Sequence, residues 1–235
     1  MNAEFILQEL LSVANPEKAE FLQGFFKTGK GQYAEGDVML GITVPTLRDI
    51  VKHSPNLPFS EVQTLLDSAY HDARLVGLLL LVRQFRKARA EAERRQIFDF
   101  YLKNARRANN WDLVDISCRD IVGAYLLDKE DRSILYKLAE SDNLWEQRIA
   151  VVSTWMFIKH GQFDDTLLLA AKLLHHRHDL IHKAVGWMLR EVGKKNRAAL
   201  EDFLEEHSRQ MPRTALRYAI EHFLPEERIR FMKKD

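Results

Sequence analysis

Four segments of this chain are variations on one helix: DARLVGLLLLVRQF from Asp72, NNWDLVDISCRDIVGAYL from Asn109, NLWEQRIAVVSTWMFIKHG from Asn143 and DLIHKAVGWMLREVGKK from Asp179. The later starts lie 34 residues (109 to 143) and 36 residues (143 to 179) apart, each helix being followed by a second, more polar one. A helix pair recurring at that interval buries its apolar face only by stacking on its neighbours, which is the pattern of an α-solenoid. Glycine and proline are scarce, 10 and 6 in 235 residues. Almost every stretch longer than ten residues shows helical rather than alternating periodicity. The expected fold is all-α, a solenoid of stacked antiparallel helix pairs forming one continuous domain over residues 1–235.

The periodicity predicts helices near 3–13, 16–28, 43–54, 59–69, 72–88, 91–106, 111–127, 130–140, 144–160, 163–175, 178–194, 197–208, 212–223 and 225–233. Pro16, Pro45, Pro212 and Pro225 each fall in a first turn, where the missing N–H costs nothing. Connections are short except for Lys27 to Gly41, punctuated by Gly29, Gly31 and Gly36, which is long enough to be a mobile loop. Glu4 and Glu9 stand where a signal peptide would need a basic start and an apolar run, and no segment reaches ~18 uninterrupted apolar residues. Neither export nor membrane insertion is expected. The single cysteine, Cys118, falls on an apolar stripe and is read as a small buried hydrophobe in a reducing compartment. Lys and Arg number 35 against 34 Asp and Glu. The balance of charge therefore says nothing about a nucleic-acid partner, and the placement of charge has to decide.

In NNWDLVDISCRD, Asn109 to Asp120, the residues Val114 and Cys118, continued by Ile121, Val122 and Tyr125, recur at helical spacing as the core stripe. Trp111 and Asp115 stand one turn apart on a second line beside it. In isolation this reads as a boundary tryptophan and a solvated aspartate paired with Arg119 at i+4. Superposing the repeats brings Arg74, Asp115, Arg148, Lys183 and Arg213 to one register, with Arg217 one turn further on. One helix of each pair lines the concave side of a curved solenoid, so a basic groove with one carboxylate in its middle is expected. Such a stripe is the electrostatic footprint of a phosphate-backbone binder. A protein-binding groove lined by solvated charges is the alternative. Trp111 precedes Asp115 by one turn and Trp187 follows Lys183 by one turn. An indole in a wet groove is best compensated by stacking on a sugar, a base or a cation. Trp155, in an apolar run, is read as core.

NNWDLVD, SDNLWEQR and KAVGWMLRE resemble the motifs of the AlkD family of bacterial DNA glycosylases, and GITVPTLR and NPEKAE resemble its N-terminal segments, in the same order and over nearly the whole chain. The resemblance implies HEAT-like repeats and the removal of N3- and N7-alkylated purines from duplex DNA. It implies a monomer with no cofactor and no metal, acting in the cytoplasm at the nucleoid. Carried over residue by residue, it places the catalytic carboxylate at Asp115, the sugar-flanking indoles at Trp111 and Trp187, and the essential arginine at Arg148. The family's binding segment falls on Gly41, Thr43, Pro45 and Arg48, so Thr43 and Arg48 join Arg74, Lys183, Arg213 and Arg217 as expected DNA contacts. Two positions depart from the family pattern. A tyrosine over the DNA cleft corresponds to Phe25, which keeps the ring and loses the hydroxyl, and a lysine two turns beyond the arginine corresponds to Met156. The resemblance further implies that the lesion stays stacked while the protein grips the sugar–phosphate backbone from outside.

Other readings stay open. A non-catalytic scaffold for a protein partner accounts for the repeats but gives no reason for Asp115 among basic residues. A relative that binds branched or damaged DNA without excising a base would share the same groove. The run HHRHD, with His175, His176, His178 and nearby His182, invites a metal site, yet no carboxylate or cysteine set completes a fourfold site there. A helix-to-helix turn with solvated or backbone-contacting imidazoles is expected instead.

Overall fold

The computed structural model describes residues 2–233, and every regular element among them is helical. The one β-type feature among the described residues is an isolated parallel bridge between Val38 and Tyr70. The chain divides into two compact units, Met1–Ile121 and Val122–Asp235.

In the first unit the helices are α1 (Ala3–Ser12), α2 (Pro16–Phe25), α3 (Val44–His53), α4 (Phe59–Leu66), α5 (His71–Lys87), α6 (Glu91–Lys103) and α7 (Trp111–Cys118). Their starts follow from local chemistry. The side chains of Asn2, Asn15 and Thr43 accept the amides of Phe5, Lys18 and Thr46, satisfying donors that a first turn leaves unpaired. α5 is buried continuously from His71 through Val82 and packs on α3, α4, α6 and α7. A helix apolar on every side is stable only in the middle of its neighbours. Each leucine fully buried there, such as Leu80 or Leu81, contributes about 1.5–3 kcal/mol over leaving it exposed.

The long connection between α2 and α3 is pinned in its second half, unlike the mobile loop that its length suggests. The carboxylate of Asp72 accepts the amides of Leu40 and Ile42 at 2.7 and 3.2 Å, and the amide of His71 donates to the Val38 carbonyl at 2.9 Å. Gly41 has φ 77°, and a Cβ there would lie 2.2 Å from the Asn15 carbonyl oxygen and 2.6 Å from the Ala19 amide. Only glycine lets the chain cross the first turn of α2 at that distance.

The second unit holds α8 (Ala124–Leu126), α9 (Ser133–Ala139), α10 (Leu144–Ser153), α11 (Trp155–Lys159), α12 (Asp164–Lys172), α13 (Asp179–Lys195), α14 (Arg197–His207), α15 (Arg213–Ala219) and α16 (Pro225–Met232). α13 is its centre, packed on α10, α14 and α15. The approach to α15 is close at Gly186, where a Cβ would stand 2.4 Å from the Ala215 carbonyl oxygen.

Two predicted helices are interrupted. The 111–127 helix passes after Cys118 into a π-helical turn, Arg119–Gly123. The 144–160 helix divides at the buried Thr154, whose hydroxyl donates to the Val151 carbonyl at 2.7 Å and tightens the turn. Pro212 is the residue before α15 rather than in its first turn. Cys118 is fully buried. Trp155 is half-buried instead of core, with the Lys159 ammonium 5.7 Å from its ring centre. No helix among the described residues is long and apolar enough to cross a membrane.

Candidate functional site

α7 begins where the Asn110 side chain accepts the amide of Trp111 at 2.8 Å. Leu113, Val114, Ser117 and Cys118 then face inward, which leaves Trp111 and Asp115 half-buried one turn apart on the neighbouring line. The Nε of Arg119 donates to the backbone carbonyl of Asp115 at 3.0 Å. Two phenylalanines meet the indole of Trp111. Phe25, 55% exposed, stands edge-on at 6.1 Å, while the buried Phe26 is stacked at 5.4 Å with the planes 29° apart. The family resemblance points to Phe25. Phe26, which makes the stacked contact, carries no motif.

Beneath Trp111 lies a buried ionic cluster. The two ring nitrogens of His71 each meet a carboxylate, Nδ1 that of Asp37 at 3.1 Å and Nε2 that of Asp112 at 2.9 Å. Arg74 donates to Asp37 at 2.5 Å and to the Ser68 carbonyl at 2.7 Å, and Asn109 donates to Asp37 at 2.9 Å. An ionised carboxylate only accepts, so an imidazole satisfies both only when both of its nitrogens carry hydrogen. Burial by itself would drive His71 towards neutrality. The hydrogen bonds and charges of Asp112 and Asp37 outweigh it and raise its pKa to about 9. Burial likewise opposes ionisation of Asp37, yet bonding to His71 and the charge of Arg74 hold its pKa below the ordinary value. The expectation that Arg74 lines an open basic groove is corrected here. Arg74 is 5% exposed, and its charge is spent on Asp37, because α5 is buried on the face that carries it.

Thr43 and Arg48 are exposed on α3, Thr43 being engaged as the helix cap. Arg48 shares a cavity of about 770 Å³ with Lys52, Arg83, Arg86 and Lys87, and no carboxylate is among its lining residues. Arg83 donates to the carbonyls of Val51, Ser54 and Pro55, closing the C-terminus of α3. Arg86 is paired with Asp120 at 2.9 Å. Of these cations only Arg48 falls within a recognisable sequence motif, GITVPTLR. Lys52 stands one turn further along α3, Arg83, Arg86 and Lys87 sit at the end of α5, and it is the packing of α5 against α3 that gathers them.

In the second unit, Arg148 on α10 is 5% exposed and donates to the Leu180 carbonyl at 2.6 Å. That carbonyl belongs to the first turn of α13, the helix that carries Lys183 and the half-buried Trp187 one turn apart. Lys183 is paired with Asp179 at 2.8 Å. On α15, Arg213 donates to the Met232 carbonyl at 2.8 Å, while Arg217 is exposed. Met156 is half-buried on α11. The histidine turn is held by backbone and amide contacts: His176 meets the Gln147 side chain at 2.9 Å, the His178 ring accepts the Leu180 amide at 3.1 Å, and His182 donates to the His176 carbonyl.

The fold places the chain among all-α proteins assembled from packed helix pairs. Its residues 6–223 match the family described as DNA alkylation repair enzyme, and the chain belongs to that family. A solved structure described as a predicted DNA alkylation repair enzyme from Enterococcus faecalis is similar in fold, with a TM-score of 0.72 and 20% identity, over 90% of this chain and 97% of that one. No curated protein matches the chain.

Proposed function

We propose that the protein is a DNA glycosylase that hydrolyses the N-glycosidic bond of cationic N3- and N7-alkylated purines in duplex DNA, as a monomer and without a cofactor. The observation that carries this reading is the pairing of a half-buried indole and a half-buried carboxylate, Trp111 and Asp115, one turn apart in a member of an alkylation-repair family. An alkylated purine of this kind already bears positive charge and leaves as a neutral base, so no general acid is needed. One carboxylate then suffices where ordinary glycoside hydrolysis uses two. As the bond breaks the deoxyribose takes on oxocarbenium character. Asp115 stabilises that charge and orients the attacking water. Trp111 and Trp187 add cation–π attraction to the sugar. Arg148, fixed through the Leu180 carbonyl, supplies positive charge for the adjacent phosphate. Lys183, Arg213, Arg217, Thr43 and Arg48 serve the backbone, and Lys52, Arg86 and Lys87 extend the same service from the cavity beside Arg48.

The direct test is incubation with duplex DNA carrying one N7-methylguanine and detection of the free base. Release of that base, with uracil and hypoxanthine left in place, is the expected result. Efficient release of uracil would contradict a mechanism without a general acid. Lys183→Ala and Arg217→Ala are each expected to weaken binding to all duplexes alike and to lower the salt slope by about 0.9, one phosphate contact. Arg217 is the cleaner probe, since Arg213 also holds the Met232 carbonyl and its loss would loosen α16. Binding and slope unchanged in both variants would remove these helices from the DNA surface.

A further inference from the structure

We propose that His71 is a positioning residue for Trp111: clamped between Asp37 and Asp112, its ring fixes the first turn of α7 and, through Phe26, the plane of the indole. This inference rests on the glycosylase reading for its catalytic consequence, but its structural part stands on the cluster alone. Two routes join the rings. Along the chain, Asp112 follows Trp111 directly, so the 2.9 Å contact to His71 Nε2 ties the start of α7 to the start of α5. Through space, the Phe26 ring lies between the other two, 5.2 Å from His71 at 33° and 5.4 Å from Trp111 at 29°. Rings held at such offsets shift together when one is displaced, because the stacking preference constrains both distance and tilt.

The charges around His71 close on themselves. Asp37 comes from the α2–α3 connection, Asp112 from α7 and Arg74 from α5. The nearby Asp72 is occupied by the amides of Leu40 and Ile42, and Arg107, whose charge bears on Arg74, is paired with Asp67 at 2.7 Å. Two cations face two anions. Loss of the His71 proton leaves one carboxylate hydrogen-bond acceptor facing a ring nitrogen that also accepts, and one of the two clamps must open. Since Asp112 is less buried than Asp37, the clamp on α7 is the one with water at hand.

The test uses the full chain labelled with 5-fluorotryptophan. Its four tryptophans give four fluorine resonances, and Trp111→Phe assigns one of them. In the wild-type protein the Trp111 resonance is expected to move with a midpoint near pH 9, and in His71→Gln, which keeps the size and loses the charge, to stay flat. Single-turnover excision by His71→Gln is expected to fall roughly tenfold to a hundredfold, as for other small misplacements of reacting groups, and the wild-type rate to decline above the same pH. A Trp111 resonance that does not titrate, or that titrates equally in His71→Gln, overturns the proposal. If His71→Gln fails to fold, the wild-type titration decides by itself. Titration of Trp111 in a protein that releases no alkylated base at any pH would sink the glycosylase reading and leave the positioning intact.

Discussion

Asp115→Asn is expected to lower single-turnover release of N7-methylguanine by ~10²-fold or more while the protein remains folded and bound to DNA. The variant keeps the shape of the side chain and removes the charge that would face a developing sugar cation, and lost preorganised electrostatic contacts of this kind cost on that scale. DNA affinity should hold or rise, because removing a negative charge lessens repulsion of the phosphate backbone. Asp115 is half-buried and its carbonyl already accepts Arg119. A purely structural Asp115, paired at the surface, would give a different pattern: a loss of about 0.3–0.5 kcal/mol in stability with chemistry unchanged. Excision under saturating enzyme, a melting curve and a binding isotherm on the same variant separate the two. Normal excision by folded Asp115→Asn would return this residue to the boundary of the core.

Stability is expected to fall steeply on the alkaline side because of His71. Its pKa is raised in the folded protein from 6.5 to about 9. The stability it contributes is therefore complete below about pH 6.5 and disappears as pH rises through 9, an effect on the order of 3 kcal/mol at about 1.4 kcal/mol per unit. Asp37 acts in the opposite direction. Its pKa is lowered, so its contribution is present above the ordinary carboxylate range and is lost as acid protonates it. Urea unfolding at pH 7 and pH 10, in the wild-type protein and in His71→Gln, isolates the histidine. The wild type should lose stability between the two pH values and the variant should lose much less. Equal losses in both would mean that other groups carry the alkaline transition.

What the sequence discloses and what it hides differ for physical reasons. Helix positions follow from apolar spacing, and Trp111 and Asp115 emerge because they stand one turn apart beside a clear core stripe. The break at Thr154 and the π-helical turn at Arg119–Gly123 leave no trace in that spacing, since the residues on either side keep helical periodicity. Aligning the repeats brings Arg74 to the groove register only on the assumption that equivalent positions meet the same surroundings. α5 is buried along most of its length and α7 is not, so the same register points inward in one and towards the surface in the other. The Asp37–His71–Asp112 cluster joins positions 34 and 41 residues apart, and no local pattern reports such a meeting. A clue did exist in HDAR at the head of a long apolar helix. Charged groups carried into a core must find partners there, and that alone predicts counter-charges brought in from elsewhere in the chain.

The same cluster bears on how the first unit assembles. Its members arrive from separate segments: Asp37 from the α2–α3 connection, His71 and Arg74 from α5, Asp112 from the first turn of α7 and Asn109 from the residues just before it. If α7 docked without the connection, Arg74 would lack its carboxylate. If the connection docked without α7, Asp37 would lack Asn109 and His71 would lose its second acceptor. Removing one partner of a buried charge costs several kcal/mol, whereas the complete set adds little net stability over an apolar core of the same shape. Half-assembled forms are thereby penalised far more than the finished one is rewarded. The three segments should protect their amides from exchange as a single cooperative unit, opening together or not at all.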